Sequence, residues 1–253
     1  MALHYDSLVN LYGAAIGLSV VGSLGGLVAA SSFLLLGDSL RVRVLPWAIS
    51  YAVGTLLGVA LLALLPQALG SLAPQAALGT LLAGVLAFFV LEKLVIWRHC
   101  HDAQECEVHG SSAASLVIVG DAFHTFVDGA VIAAAVITSV PLGITTALAV
   151  ATHEIPQEVG DVAILLRAGY SRWRAFTLNL LSGIGGILGA AGMLAATKSM
   201  PQLLPYVLAF AAGNFLYVAM ADLIPDLHRG GLEGGPVRQL LLIGAGVLTI
   251  VLL

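Results

Sequence analysis

Charged residues are scarce in this sequence, and their scarcity excludes whole classes of protein. Only 9% of the 253 residues are charged, whereas a soluble domain carries about 25%. So few charges cannot coat a globule of this size, which excludes a water-soluble enzyme, a nucleic-acid binder and a disordered chain. The two cysteines, Cys100 and Cys106, are too few for a disulfide framework. Since 59% of the residues are hydrophobic, we predict a polytopic membrane protein surrounded by lipid.

The hydrophobic residues form long runs that fit membrane helices. A helix that crosses the hydrocarbon core needs about 20 apolar residues, and lipid admits only helices or closed barrels, whose strands need about 10. The chain starts without a basic n-region, so we interpret the first run as a span and not as a signal peptide. The sequence therefore predicts an all-α polytopic membrane protein, a single domain over residues 1–253. Its eight transmembrane helices, spans 1 to 8, are predicted at about 8–36, 44–69, 74–97, 113–139, 142–167, 174–197, 202–226 and 236–253.

The basic residues predict how these spans are oriented. Cytoplasmic loops of membrane proteins carry an excess of Lys and Arg. Of the ten basic residues, nine fall on one side of the predicted spans and only Lys198 falls on the other. The nine are Arg41, Arg43, Lys93, Arg98, Arg167, Arg172, Arg174, Arg229 and Arg238. Their side is predicted to be cytoplasmic, so both termini of this multi-pass protein are expected outside the cell membrane.

Short patterns recur between the two ends of the chain. Leu-Ser-x-x-Gly occurs at 18–22 in span 1 and again at 181–185 in span 6. Leu-x-Pro followed by a polar residue occurs at 64–67 in span 2 and at 223–226 in span 7. The alternating topology makes each recurrence run in the opposite direction. Spans 1–3 and 6–8 are therefore predicted to be inverted repeats around spans 4 and 5, an arrangement common in secondary transporters.

Spans 4 and 5 carry many polar residues for membrane helices, where such residues are costly and mark a pathway or a binding site. They hold five of the fourteen acids, yet no Lys or Arg lies between residues 111 and 166. These carboxylates must be protonated, paired with distant arginines or neutralised by a bound cation. The polar residues are Asp121, His124, Asp128, His153, Glu154, Glu158 and Asp161.

The spacing of these residues favours the bound cation. Side chains four residues apart lie on one face of a helix. Imidazole nitrogen together with carboxylate oxygen suits Zn²⁺, Fe²⁺, Mn²⁺ or Co²⁺, whereas Ca²⁺ and Mg²⁺ seldom take histidine. A metal site near the middle of the membrane is therefore predicted between the two helices. The pairs at this spacing are His124 with Asp128, His153 with Gln157, and Glu154 with Glu158.

At these positions the sequence resembles the ZIP (Zrt/Irt-like) family of divalent-metal transporters, in particular its LIV-1/GufA-like subgroup. The family's fourth-span pattern His-Asn-Phe-x-Asp-Gly corresponds to His-Thr-Phe-Val-Asp-Gly at 124–129. The subgroup's fifth-span pattern His-Glu-x-Pro-His-Glu corresponds to His-Glu-Ile-Pro-Gln-Glu at 153–158. Further matches lie at 64–68, 179–182 and 212–219. The resemblance implies a transporter and not an enzyme, one that imports Zn²⁺, and also Fe²⁺, Mn²⁺ or Cd²⁺, into the cytoplasm without an organic cofactor.

The resemblance also implies a binuclear metal centre between spans 4 and 5, to which span 6 contributes. Thr125 stands where the family has Asn, and its single hydroxyl is a poorer ligand, which predicts a weak second site. Gln157 stands where the subgroup has His, and an amide oxygen binds zinc less well than imidazole, which makes iron or manganese more credible. The expected partners are divalent metal ions, membrane lipid and, as a candidate, a second copy of the chain. One site is expected to use His124, Asp128, His153 and Gln157, the other Glu154, Asn179 and Thr125, with Glu158 a further ligand, Asp121 orienting His124 and Asp161 on the pathway.

Two other functions are compatible with the same acids. A proton- or sodium-coupled cation antiporter would use them without binding a transition metal. An intramembrane zinc metalloprotease would use His153-Glu154-x-x-Gln157, which nearly matches His-Glu-x-x-His. The second zinc-binding histidine is absent, however, and Pro156 would distort the helix that must carry both ligands.

The predicted cytoplasmic loop at residues 98–112 is a second candidate for metal binding. It holds both cysteines and three of the seven histidines. Thiols in the cytoplasm stay reduced and free to bind metal. The alternative is a solvated connector whose composition is incidental. The candidate ligands are His99, Cys100, His101, Cys106 and His109.

Replacing Cys100, His101, Cys106 and His109 together with serine separates these two interpretations. We expect the variant to bind less metal per chain, while its initial uptake rate stays within about threefold of wild type because a surface loop lies off the permeation path. Metal content per purified chain and initial uptake into proteoliposomes are the measurements. Complete loss of uptake would place the loop inside the pathway, and unchanged metal content would support the plain connector.

Overall fold

The computed structural model describes residues 2–34, 38–97, 110–229 and 235–253, and all regular structure in these ranges is helical. Eight rods follow one another in the described chain and correspond to the eight predicted spans, which confirms the all-α polytopic fold. The unbroken rods are span 1 (Ala2–Leu34), span 3 (Pro74–Trp97), span 4 (Gly110–Thr138), span 5 (Val140–Arg167) and span 8 (Pro236–Leu252). Span 4 begins inside the last residues of the predicted loop, and residues 98–109, with all five candidate loop ligands, lie outside the described residues.

The other three rods are built from several helical segments. Span 2 runs through Asp38–Gly58, Val59–Leu64 and Leu65–Leu69. Span 6 is Arg172–Ser182 followed by Ile184–Ser199, with a break at Gly183. Span 7 is a 3₁₀ turn at Pro201–Leu203 followed by Leu204–Tyr217, Val218–Leu223 and Ile224–Arg229.

Six of these rods are long and apolar enough to cross a membrane, namely Asn10–Ser32, Arg43–Leu69, Pro74–Leu91, Ile118–Thr138, Arg172–Ser199 and Pro201–His228. Span 8 is a shorter apolar helix of 17 residues. Span 5 is long but carries Glu154, Glu158 and Asp161 in its second half. The chain is therefore a multi-pass membrane protein. Span 5, the least apolar of its long rods, carries the most candidate ligands.

The rods pack in two related sets. Span 1 packs along span 5 and span 6 along span 4, while span 2 packs along span 8 and span 7 along span 3. The repeat relates span 1 to span 6, span 2 to span 7, span 3 to span 8 and span 4 to span 5. Under this exchange the pair of spans 1 and 5 becomes the pair of spans 6 and 4, and the pair of spans 2 and 8 becomes the pair of spans 7 and 3. This is the pairing that the inverted repeat predicts. Spans 4 and 5 pack against each other at the centre of this arrangement.

Spans 2 and 7 share a local irregularity at equivalent places. Each has a six-residue π-helical segment, Val59–Leu64 in span 2 and Val218–Leu223 in span 7. A proline follows two residues after each segment, Pro66 and Pro225. Because proline lacks an N–H and its ring clashes with the carbonyl four residues earlier, the wider π turn accommodates it. The recurring Leu-x-Pro pattern therefore marks the same backbone feature in both repeats.

Glycines let the paired rods of spans 2 and 8, and of spans 3 and 7, come into backbone contact. A Cβ atom on Gly54 would collide with the carbonyl oxygen of Ile243, and one on Gly246 would collide with that of Tyr51. Gly213 approaches the carbonyl oxygen of Leu81 in the same way. Close approach of small residues is how membrane helices gain packing contacts where lipid gives no hydrophobic drive.

Basic residues at the rod ends lie over aromatic rings. The Lys198 ammonium is 5.1 Å from the Tyr12 ring centroid, which brings the start of span 1 beside the end of span 6. The Arg238 guanidinium is 5.0 Å from the Trp47 ring, which brings the starts of spans 2 and 8 together. Trp and Tyr concentrate where helices leave the membrane.

Gly246→Ala tests the close packing of spans 2 and 8, with Gly244→Ala as the matched control. The new methyl at 246 would meet backbone atoms of span 2, whereas nothing lies within 4 Å of a Cβ at Gly244. We expect the first change to lower the free energy of unfolding by about 1–3 kcal/mol, and the second to leave it unchanged or raise it by up to about 1 kcal/mol. Thermal unfolding in one detergent is the measurement, and equal midpoints for the two variants would contradict the packing.

Candidate metal centre

Three predicted ligands meet between spans 4 and 5. The Nε2 atoms of His124 and His153 are 3.1 Å apart. Oδ2 of Asp128 lies 3.2 Å from Nε2 of His153 and 3.5 Å from Nε2 of His124. All three side chains are buried. Two imidazoles and one carboxylate thus point their ligand atoms at a common point inside the protein.

The backbone sets the tautomer of His153. Its Nδ1 lies 3.1 Å from the carbonyl oxygen of Ala149. A carbonyl oxygen can only accept, so Nδ1 carries the proton in this hydrogen bond and neutral His153 has its lone pair on Nε2. Histidines that bind metal are commonly oriented by such a bond from the other ring nitrogen. Nε2 is also the atom that faces Asp128, so the ring is oriented for coordination.

Aromatic rings close the sides of this site. The Phe88 ring lies edge-on to His124 with centroids 5.9 Å apart, and the Phe215 ring is tilted against His153 at the same distance. Phe88 comes from span 3 and Phe215 from span 7. These contacts bring apolar surface from spans 3 and 7 against the imidazoles and cover those sides of the two rings.

Glu154 completes the first group of ligands. One ligand atom from each of His124, Asp128, His153 and Glu154 lies within 4.8 Å of the others. Glu154 is fully buried, and neither of its carboxylate oxygens has a hydrogen-bond partner. A buried carboxylate without a partner is costly unless a cation or a proton neutralises it. The group therefore has the composition and the electrostatic demand of a cation site.

A second group of carboxylates adjoins the first and shares Glu154. Oxygen atoms of Asp121, Glu154 and Glu158 lie within 4.8 Å of one another. Span 6 supplies donors to this group: the Asn179 amide donates to Oε2 of Glu158 at 2.6 Å, and the Ser182 hydroxyl donates to Oδ2 of Asp121. Span 6 comes close enough to these carboxylates because its glycines lie directly against the backbone of span 4.

A cavity of about 770 Å³ leads to both groups. Its wall includes His124 and His153 at the first group and Asp121 at the second. The remaining wall comes from the start of span 2, the end of span 3 and the last turns of spans 5 and 7. These four segments of the wall lie at the rod ends near which most of the basic residues occur in the sequence. The site is thus accessible from one side of the protein.

The other predicted ligands take part in hydrogen bonds around the two groups. The Thr125 hydroxyl donates to the backbone carbonyl of Asp121 at 2.8 Å. The Gln157 amide donates to Oδ1 of Asp121 at 3.4 Å. Asp161 is partly buried and lines the cavity. The metal-ligand roles of Thr125, Gln157 and Asn179 stay predictions, as do the orienting role of Asp121 and the pathway role of Asp161.

Three polar residues near the site are not among those predicted. Ser182 holds Asp121, and Asp222 and Asp226 of span 7 line the cavity. The two span 7 acids are spaced i,i+4 in an apolar run, which is the same signal that marks His124 and Asp128. Ser182 carries no comparable signal, because a lone serine in a membrane helix often only bonds within the helix bundle.

Comparison with known proteins relates the chain to one family of transporters. The model of the family described as ZIP zinc transporter matches residues 97–253. The chain is similar to Zinc transporter ZIP13 of Pongo abelii, 36% identical over 238 residues that cover 86% of this chain and 70% of that one. It is 32% identical to Zinc transporter ZIP13 of Homo sapiens over 273 residues, 86% of this chain and 74% of that one. Zinc transporter ZIP10 of Homo sapiens is 37% identical over 155 residues, 59% of this chain and 19% of that one.

Gly26→Ala tests the position of Glu154 without altering any ligand, and Gly25→Ala is the control on the neighbouring residue. A methyl on Gly26 would collide with Cβ of Glu154 and lie 3.2 Å from its Cγ, whereas the nearest atom to a Cβ on Gly25 is Cγ1 of Val21 at 3.9 Å. We expect Gly26→Ala to weaken Zn²⁺ binding by about tenfold, or ~1.4 kcal/mol. Titration of purified protein with Zn²⁺ is the measurement. Equal affinities in the two variants would mean that Glu154 does not contact the metal.

Proposed function

Because the chain belongs to the ZIP zinc transporter family, we propose that it imports divalent transition-metal ions, Zn²⁺ first, through the site between spans 4 and 5. The observation that carries the proposal is the buried group of His124, Asp128, His153 and Glu154 in the middle of two membrane helices. A group that only stabilised the fold would not need unpartnered carboxylates beside two histidines. Zn²⁺ binds nitrogen and oxygen ligands in tetrahedral sites, which this group can supply.

The same ligands accept other metals of the first transition row. Fe²⁺ and Mn²⁺ take imidazole and carboxylate together, and Cd²⁺ resembles Zn²⁺ in this respect. Zn²⁺ is favoured over Mn²⁺ by the general affinity order. Gln157 next to His153 would add an amide oxygen where the subgroup has imidazole, which moderates the preference for zinc. We therefore propose a transporter that prefers zinc and also carries Fe²⁺, Mn²⁺ or Cd²⁺.

Two metal ions are proposed to occupy the centre together. The support is the presence of two groups of ligand atoms that share Glu154. A carboxylate has two oxygens and can bridge two cations. Neutralisation by two divalent ions would also account for five acids on spans 4 and 5 without a basic residue between 111 and 166.

The proposed direction of transport is into the cytoplasm. The cavity reaches the metal groups from the side where the sequence places nine of its ten basic residues, and that side is cytoplasmic by the distribution of Lys and Arg. Both termini are then outside. Lipid, and a second copy of the chain as a candidate, are the proposed partners of the exposed apolar side chains on spans 3 and 8, such as Leu82 and Leu240.

The competing functions differ in what they require of the histidines. ZIP proteins are transporters and not enzymes, so a metalloprotease is excluded by family membership. A proton- or sodium-coupled antiporter would need the acids but no transition metal. Binding of metal by the two histidines therefore separates the proposal from the antiporter.

Uptake by His124→Ala and His153→Ala in proteoliposomes tests the proposal, with His228→Ala as the control because His228 is exposed and lies outside the metal groups. Each site variant loses one of four ligands, a cost of several kcal/mol when a whole structural zinc site supplies roughly 10–16 kcal/mol. We expect Zn²⁺ uptake to fall to background in both and to persist in the control. Competition with Fe²⁺, Mn²⁺ and Cd²⁺ in the wild type gives the selectivity. Uptake at the wild-type rate in the site variants, at matched protein levels, would overturn the assignment.

A further inference from the structure

We infer that the second metal position is an all-carboxylate site formed by Asp121, Glu154 and Glu158, adjacent to the histidine site on its cavity side. This inference rests on the proposed function, since it assumes that metal ions enter the centre. It assigns the second ion to ligands other than Thr125 and Asn179. The ligand class it implies is a hard divalent cation, and an oxygen-only site discriminates against Mn²⁺ less than a site with imidazole does.

The three carboxylates are placed to share a cation. Their oxygens lie within 4.8 Å of one another, and Asp121, Glu154 and Glu158 are 4%, 0% and 2% exposed. Glu154 contributes an oxygen to the group, and neither of its carboxylate oxygens has a hydrogen-bond partner. Three buried carboxylates this close repel one another strongly unless positive charge lies between them. No Lys or Arg between residues 111 and 166 provides that charge, so either protons or a bound cation must neutralise the group, and the inference assigns this role to the cation.

The surrounding polar side chains donate hydrogen bonds that hold the carboxylates in place. The Asn179 amide donates to Glu158, and Ser182 and Gln157 donate to Asp121. An N–H or O–H that points at a carboxylate fixes the direction of that carboxylate, as outer groups do around metal ligands. Asn179 therefore acts on the ion through Glu158.

The Thr125 hydroxyl is engaged within its own helix. Its hydroxyl donates to the backbone carbonyl of Asp121, one turn back along its own helix. A threonine used in this way bonds within span 4. Asp121 and Glu158 thus supply the charge that a neutral hydroxyl and a neutral amide would not.

The second position lies one helical turn from the first in the direction of the cavity. Glu158 follows Glu154 by one turn in span 5, and Asp121 precedes His124 by one turn in span 4. Because the two helices run antiparallel, both steps lead towards the same end, where Asp121 and Asp161 line the cavity. Glu154, which belongs to both groups, is the ligand that an ion keeps while it moves from the nitrogen site to the oxygen site. Oxygen-only sites favour harder ions and hold zinc less tightly than sites with imidazole, which suits release.

Binding of Mn²⁺ to the purified full-length protein tests this assignment. Metal content and electron paramagnetic resonance are measured on the wild type, on Asp121→Asn and Glu158→Gln, and on Thr125→Val, which tests the alternative set of ligands. The wild type and Thr125→Val should bind two ions with the spectrum of a magnetically coupled pair. Each carboxylate variant should bind the second ion at least about tenfold more weakly and give the spectrum of an isolated ion. Retained coupling between that ion and imidazole nitrogen shows that these variants are folded.

Each other outcome overturns the assignment. Loss of the second ion in Thr125→Val would return the second site to the ligands implied by the family, and a coupled pair in Glu158→Gln would remove Glu158 from the site. A wild type that binds a single ion would remove the second site altogether. Failure of the proposed function is separate, because it would appear as Zn²⁺ uptake that persists in His124→Ala and His153→Ala.

Discussion

The need to neutralise buried carboxylates inside a membrane governs this structure. Asp128 and Glu154 are completely buried, and neither has a hydrogen-bond donor on its carboxylate oxygens among the described residues. Water is not available to solvate them, and isolated charges are expensive in a medium of low dielectric. A divalent cation satisfies several such oxygens at once. The arrangement of span 6 donors around Asp121 and Glu158, and of histidines around Asp128, follows from the same requirement.

Small residues allow this polar centre to be assembled. Gly26 leaves room for Glu154 against span 1, and Gly129 lets span 4 lie against the backbone of span 6 at Gly186. Larger side chains at these positions would separate the helices and move the ligands apart. In spans 2, 3, 7 and 8 glycines likewise bring helix backbones into contact, in the rods that face the helices with the candidate ligands. Close packing therefore positions the candidate metal ligands as much as their own sequence spacing does.

Much of the fold could be predicted from the sequence because membrane helices have a clear signal, a long run of apolar residues. A run of about 20 apolar residues has one stable backbone conformation in lipid, so the eight rods and their order are predictable, with ends that differ by a few residues. The i,i+4 spacing of His124 with Asp128 is a local property of one helix, so the sequence alone predicts that these two candidate ligands share a helix face. The recurrence at Pro66 and Pro225 likewise marked a local backbone feature.

Relations between helices were decided only by the tertiary structure. The spacing along span 5 does not distinguish the roles of Glu154, Gln157 and Glu158. Packing places Glu154 in both groups of candidate ligands and directs the Gln157 amide towards Asp121. The role of Ser182 depends on the approach of span 6 to span 4. The sequence by itself determined which residues are polar, how many helices there are and which side chains share a helix face. Which faces meet depended on long-range packing of small residues, whose effect cannot be computed from one helix at a time.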